Sequence, residues 1–108
     1  MKHRYHHMGI PAREPRKDEE YIPHLRMYVS GFKTSAFGIE WMRFEAGCPL
    51  PWLVQTVPHV AFEVDDLEAA IAGKKVIIEP NSPSEGIRVA FIEENGAPVE
   101  FLEISNGD

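Results

Sequence analysis

The chain has 108 residues, of which 44% are hydrophobic, with a formal net charge of -6 and a single cysteine. That length is one domain able to bury roughly two-thirds of the surface its unfolded chain exposes. The acidity leaves no basic stripe for phosphates, which argues against nucleic acid and anionic membranes, and Cys48 alone excludes an intramolecular disulfide and fits a reducing compartment. With no signal-peptide core and no apolar run near the ~20 residues that span a bilayer, the expected setting is cytoplasmic and the expected partner a small molecule.

Near the N-terminus, His3, His6 and His7 lie close together without a tag's unbroken run. His7 heads an apolar, strand-like segment over residues 5–10, His3 reads as solvated, and His6 stands one residue out of phase. Residues 11–23 are rich in charge and proline and carry no helical stripe, so they read as a loop, either a solvated connector or a cover over a pocket. Residues 24–30 and 37–45 read as strands. Three prolines around Trp52-Leu53-Val54 make a stiff linker whose apolar side chains pack on the domain or meet a partner subunit.

The second half is better punctuated. Residues 57–64 form a β-rich run that tolerates Pro58 at its start. Asp65 offers an N-cap with Glu68 three residues on, Leu67, Ala70 and Ile71 supply an apolar stripe, and Gly73 stands where a helix ends. Residues 75–79 form a buried strand expected to stop at Pro80, followed by a turn-rich segment. Residues 87–93 and 99–104 are strands joined by the hairpin signal Glu94-Asn95-Gly96. The class is α+β, one domain over 1–108: a βαβββ module at 57–105, a linker at 47–56, and a module at about 5–46 that repeats it without most of its helix.

The repeat extends to chemistry-bearing residues. His7-Met8-Gly9-Ile10 and His59-Val60-Ala61-Phe62 share the order histidine, aliphatic, small, apolar. Gly38-Ile39-Glu40-Trp41-Met42-Arg43-Phe44 and Pro98-Val99-Glu100-Phe101-Leu102-Glu103-Ile104 share turn former, β-branched residue, glutamate, aromatic, aliphatic, charge, apolar. Strand alternation sets Glu100 beside Leu102 and Ile104, and Glu40 beside Met42 and Phe44. A carboxylate among apolar neighbours costs several kcal/mol unless it meets a cation, a salt bridge, a proton or a polar cavity. Gly9 and Ala61 leave room beside the two histidines. Two imidazoles and two carboxylates, His7, Glu40, His59 and Glu100, suit one divalent ion such as Zn, Ni, Co, Mn or Fe on a pseudo-twofold axis. Rivals are His6, His24, Glu45 and Glu103, the last facing away from Glu100.

The run from His59 to Leu67, and Arg88-Val89-Ala90-Phe91 followed by residues 95–101, resemble the strand-to-helix signature and closing hairpin of the vicinal oxygen chelate superfamily. Residues 57–104 carry most of the likeness; residues 5–46 match weakly because the first helix is absent. The resemblance implies paired modules curved into a half-open barrel, with the metal inside held by His7, Glu40, His59 and Glu100. It further implies an isomerase or lyase of glyoxalase or epimerase type, with Glu40 or Glu100 removing a proton next to a carbonyl. A bleomycin-resistance-type binding protein is the alternative, with Trp41, Phe44, Phe62 and Phe91 lining the pocket. No basic clamp for a large anionic cosubstrate is recognisable, although Arg88, Arg43 and Lys33 offer contacts for a carboxylate or phosphate. The expected assembly is a homodimer.

Overall fold

A computed structural model describes residues 2–105. One eight-stranded mixed sheet curls into a half barrel, with strand order β2-β3-β4-β1-β5-β8-β7-β6. The first half supplies β1 (Arg4–Pro11), β2 (Glu20–Ile22), β3 (Met27–Ser30) and β4 (Ile39–Phe44). The second supplies β5 (His59–Glu63), β6 (Lys75–Ser84), β7 (Ile87–Glu94) and β8 (Ala97–Ile104). Among the described residues two short α-helices complete it, α1 (Trp52–Thr56) and α2 (Leu67–Ile71), with 3-10 turns at Pro23–Leu25 and Phe32–Thr34.

Each half has the same wiring. The first strand pairs in parallel with the last of its own module, β1 with β4 and β5 with β8, and the two first strands join the halves antiparallel. Side-chain alternation then divides the interior. On the outer face, Leu67 and Ala70 of α2 pack on Val64, Ala90, Ile92 and Phe101. The inner face carries Ala61, Val89 and Leu102, with Met27, Met42, Val54 and Phe91 as a neighbouring cluster.

The first module has no helix between β1 and β3, in agreement with its charge-rich and proline-rich text, but residues 11–23 are more ordered than a plain loop. Arg43 donates two hydrogen bonds of 2.8 Å to Glu19, Arg16 lies over the Trp41 ring, and Glu20–Ile22 adds an edge strand to β3. The strand expected over 24–30 starts later. Pro23–Leu25 is a 3-10 turn closed by Arg26 at φ 51°, because proline favours a turn start and has no N–H to give a ladder. The linker folds as α1, burying Val54 completely while Trp52 stays 76% exposed.

Two expectations in the second module shift. Asp66, not Asp65, caps α2: its side chain accepts from Ala69 N–H at 3.1 Å, while Asp65 is held by Arg4 at 2.9 Å. β6 does not stop at Pro80. It continues to Ser84 along the sheet edge through three register shifts, and Asn81 Nδ2 donates to Glu79 O at 2.9 Å. An edge strand needs hydrogen bonds on one side only, so proline is tolerated there. The β7–β8 hairpin turns at Asn95 and Gly96, both at positive φ (52° and 83°), as that dipeptide demands.

Candidate metal centre

The centre grows from the β1–β5 seam, where Met8 stands opposite Val60. One step to either side, His7 faces Ala61 and Gly9 faces His59. The parallel pairs continue the pattern, Gly9 beside Glu40 and Ala61 beside Glu100. A twofold axis through the Met8–Val60 pair therefore exchanges His7 with His59, Gly9 with Ala61 and Glu40 with Glu100. The repeat seen in the text is a repeat in register.

The small residues are required by contact. A Cβ built on Gly9 would lie 2.1 Å from His59 Cε1 and 2.6 Å from both His59 Nδ1 and Met42 Sδ. The His59 ring thus lies against bare β1 backbone, with Phe91 edge-on at 5.0 Å. Its Nδ1 is buried and has no hydrogen-bond partner among the described residues, so packing and the Nε2 contact with Glu100 set the ring.

Three of the four expected ligands converge. Glu100 Oε1 is 3.1 Å from His59 Nε2 and 3.2 Å from His7 Nε2, and the two nitrogens are 3.4 Å apart. All three residues are buried. Donors about 2.0–2.1 Å from one ion stand about 2.8–3.4 Å apart at octahedral or tetrahedral angles, so this triangle matches one face of a first-row coordination shell. Imidazole and carboxylate suit a borderline divalent ion. Glu40 is set back: its Oε1 is 3.8 Å from His7 Nε2, and its side chain is 25% exposed.

The charges differ accordingly. Burial alone would push Glu100 up, but hydrogen bonds from His59 and His7, with their charges, outweigh it and hold the carboxyl at about 2. Burial lowers His7, yet the Glu100 bond and the charges of Glu100 and Glu40 raise it overall. Glu40 is raised, chiefly by burial.

His6 plays a part its phase concealed. The β1–β5 register slips between Tyr5 and His7, a bulge that brings His6 to the same cavity as His7. Its Nδ1 lies 2.8 Å from His7 Nδ1, and its ring stacks on Phe32 at 5.3 Å. It thereby orients His7, as outer-shell partners of a ligating imidazole do. Histidine next to histidine was the signal, and only the bulge gives it meaning. The other rivals fall elsewhere: His24 is exposed, Glu45 accepts from Tyr21, and Glu103 accepts from Arg88 and Leu67 N–H on the outer face. The three cations suggested for anion binding are engaged: Arg43 by Glu19, Arg88 by Glu68 and Glu103, and Lys33 by Glu20.

The triangle forms the floor of a cavity of about 680 Å³. Leu25, Met27, Val29 and Met42 wall it from the first module, Leu50 and Val54 from the linker, and Ile78, Val89 and Phe91 from the second. Of the aromatic residues proposed as lining, Phe91 alone lines this cavity; Phe62 packs toward α2, and Trp41 lies under Arg16. A second recess of about 650 Å³ shares Val29, Phe32 and Glu40 and is lined by Arg16, Lys17, Asp18, Glu20 and Lys33.

No family model and no curated protein matches this sequence. Among solved structures, a hypothetical protein from Bacillus halodurans is similar, with a TM-score of 0.73 and 19% identity over 100% of this chain and 99% of its own. Methylmalonyl-CoA epimerase from Mycobacterium tuberculosis is also similar, with a TM-score of 0.62 and 17% identity over 94% of this chain and 87% of its own. At these identities the likeness is one of fold.

Proposed function

We propose that this chain is a metal-dependent isomerase or lyase of the vicinal oxygen chelate superfamily, removing a proton next to a carbonyl of a small oxygenated metabolite. The observation that carries this reading is the buried His7–His59–Glu100 triangle at the floor of a cavity. The fold likeness to an enzyme named as an epimerase supports it. His7, His59 and Glu100 would hold the ion, with Glu40 beside them as the fourth ligand of the repeat. When bound, a divalent Zn, Ni, Co, Mn or Fe ion supplies Lewis-acid polarisation of a substrate oxygen.

The two glutamates have different work. Glu100 Oε1 stands 3.2 and 3.1 Å from the two imidazole nitrogens, close enough to share one ion with both. Glu40 makes one contact at 3.8 Å with the cluster, lines the cavity and has a raised affinity for protons. We assign it the proton transfer, since it is set back from the two imidazoles and faces the cavity.

The test is the metal content of protein purified without added metal, repeated with His59→Ala and Glu100→Ala. The reading expects a stoichiometric ion in the wild type and its loss in both variants. Unchanged stoichiometry in both would remove these residues from the site. A second reading, a non-catalytic binding protein, is favoured by the apolar cavity wall, and it predicts that chelated protein binds its ligands undiminished. Cytoplasmic location and a homodimer assembled through the exposed Trp52 belong to the same proposal; sedimentation of wild type against Trp52→Ala examines the latter.

A further inference from the structure

The cavity above the triangle has an uneven chemistry. Its polar groups are His6, His7, Glu40, His59 and Glu100, all from the cluster, and Asn81 on β6. The remaining lining is aliphatic, aromatic or proline, and among the described residues neither lysine nor arginine lines it. Leu25, Leu50, Ile77 and Ile78 are only half-buried, so they keep apolar surface facing this space. Such a wall gains about 25 cal/mol for each Å² of apolar ligand it covers and has nothing to pair with a second anionic group.

The neighbouring recess does not change this. It has three cations, Arg16, Lys17 and Lys33, against three acids, Asp18, Glu20 and Glu40. Lys33 is bound to Glu20 at 3.0 Å, and Arg16 lies 4.8 Å over Trp41. A surface whose charges balance, with one of its lysines already paired, offers little net field to a carboxylate or phosphate.

Taking the metal reading as given, we infer that the substrate is amphiphilic in one particular sense: a chelating pair of oxygens at the triangle, joined to an uncharged apolar body seated against Leu25, Leu50, Ile78 and Phe91. A volume of about 680 Å³ is ample for a compact aliphatic or aromatic body. Four segments supply that seat: the Pro23–Leu25 turn, the linker, β6 and β7.

Alkyl hydroxamates test this, because the hydroxamate end chelates and the tail can be varied. The cobalt(II)-loaded protein is titrated with acetohydroxamate, hexanohydroxamate and adipic monohydroxamate, the last being the six-carbon chain ending in a carboxylate, with the visible bands of cobalt reporting coordination. Each added methylene should tighten binding roughly fourfold, so the step from two to six carbons should exceed about two-hundredfold. The terminal carboxylate should cancel most of that gain. Ile78→Lys, on the half-buried wall, should flatten the chain-length dependence and favour the carboxylate probe. Acetohydroxamate binding with no gain from the longer chain, or with the carboxylate probe preferred in the wild type, would overturn this inference and leave the metal centre standing. Cobalt bands that respond to no hydroxamate would overturn the metal reading and this inference with it.

Discussion

Gly9→Ala is the smallest change that reaches the centre. The new methyl would sit 2.1 Å from His59 Cε1 and 2.6 Å from Nδ1, against ordinary carbon contacts of about 3.5–4.0 Å. An overlap above about 1 Å is not absorbed by a ring held between β1 backbone and Phe91, so His59 must rotate or the β1–β5 seam must open. Overpacking of this kind costs about 1–3 kcal/mol, which in a domain this size lowers the melting temperature by about 5–15 °C. Tilting the ring also removes Nε2 from the triangle, and metal affinity should fall by at least about tenfold. Thermal unfolding and metal titration read the two effects. The decisive comparison is the His59→Ala background, where the two nearest obstacles are gone and the next is the flexible Met42 sulfur; there Gly9→Ala should cost less than about half as much. An equal cost in both backgrounds, or an unchanged metal affinity in the single variant, would refute the claim that Gly9 exists to seat His59.

Glu40→Gln should leave bound metal within a few-fold of wild type while turnover falls by about 10²–10⁴, whereas Glu100→Gln should lose the ion; metal analysis beside a proton-exchange assay separates them. For metal-free protein, His7 has a folded pKa above its unfolded value, so the stability it contributes is present below about 6.5 and is lost as pH rises through the folded value. Glu100 is depressed, so its contribution is present above about 4.5 and is lost as pH falls toward about 2. Urea midpoints across pH should therefore fall at both ends, and Glu100→Gln should shrink the acid limb, leaving the part carried by Glu19 and Glu68; an unaltered profile in that variant would contradict the coupling. Asp66→Ala should cost about 1 kcal/mol through the lost α2 cap, while Asp65→Ala, which removes only an exposed pair with Arg4, should leave the unfolding midpoint in place.

The text of the chain carried the second module and all four members of the repeat because these follow local rules: alternation, an Asn-Gly turn and small residues beside histidines. What escaped it depends on partners. Pro80 reads as a stop unless β6 is known to be an edge, and His24 reads as strand until Arg26 is seen closing a turn at positive φ. His6 reads as out of phase because a bulge has no periodicity of its own. The unequal standing of Glu40 and Glu100 was also invisible. Both sit at the same point of the repeat, and only the distances of 3.8 Å against 3.1 and 3.2 Å separate them.

That inequality has a consequence for why two halves belong in one chain. Two copies of residues 57–105, joined by β5 to β5 with Val60 opposite Val60, would also set His59 against the other copy's Ala61 and gather two histidines and two glutamates about a point. In such a pair every glutamate is the same as its mate, and an arrangement that clamps one clamps both. Covalent linkage frees the copies to diverge, so a single centre can contain one acid close against both imidazoles and another, born at the same position, that is set back from them.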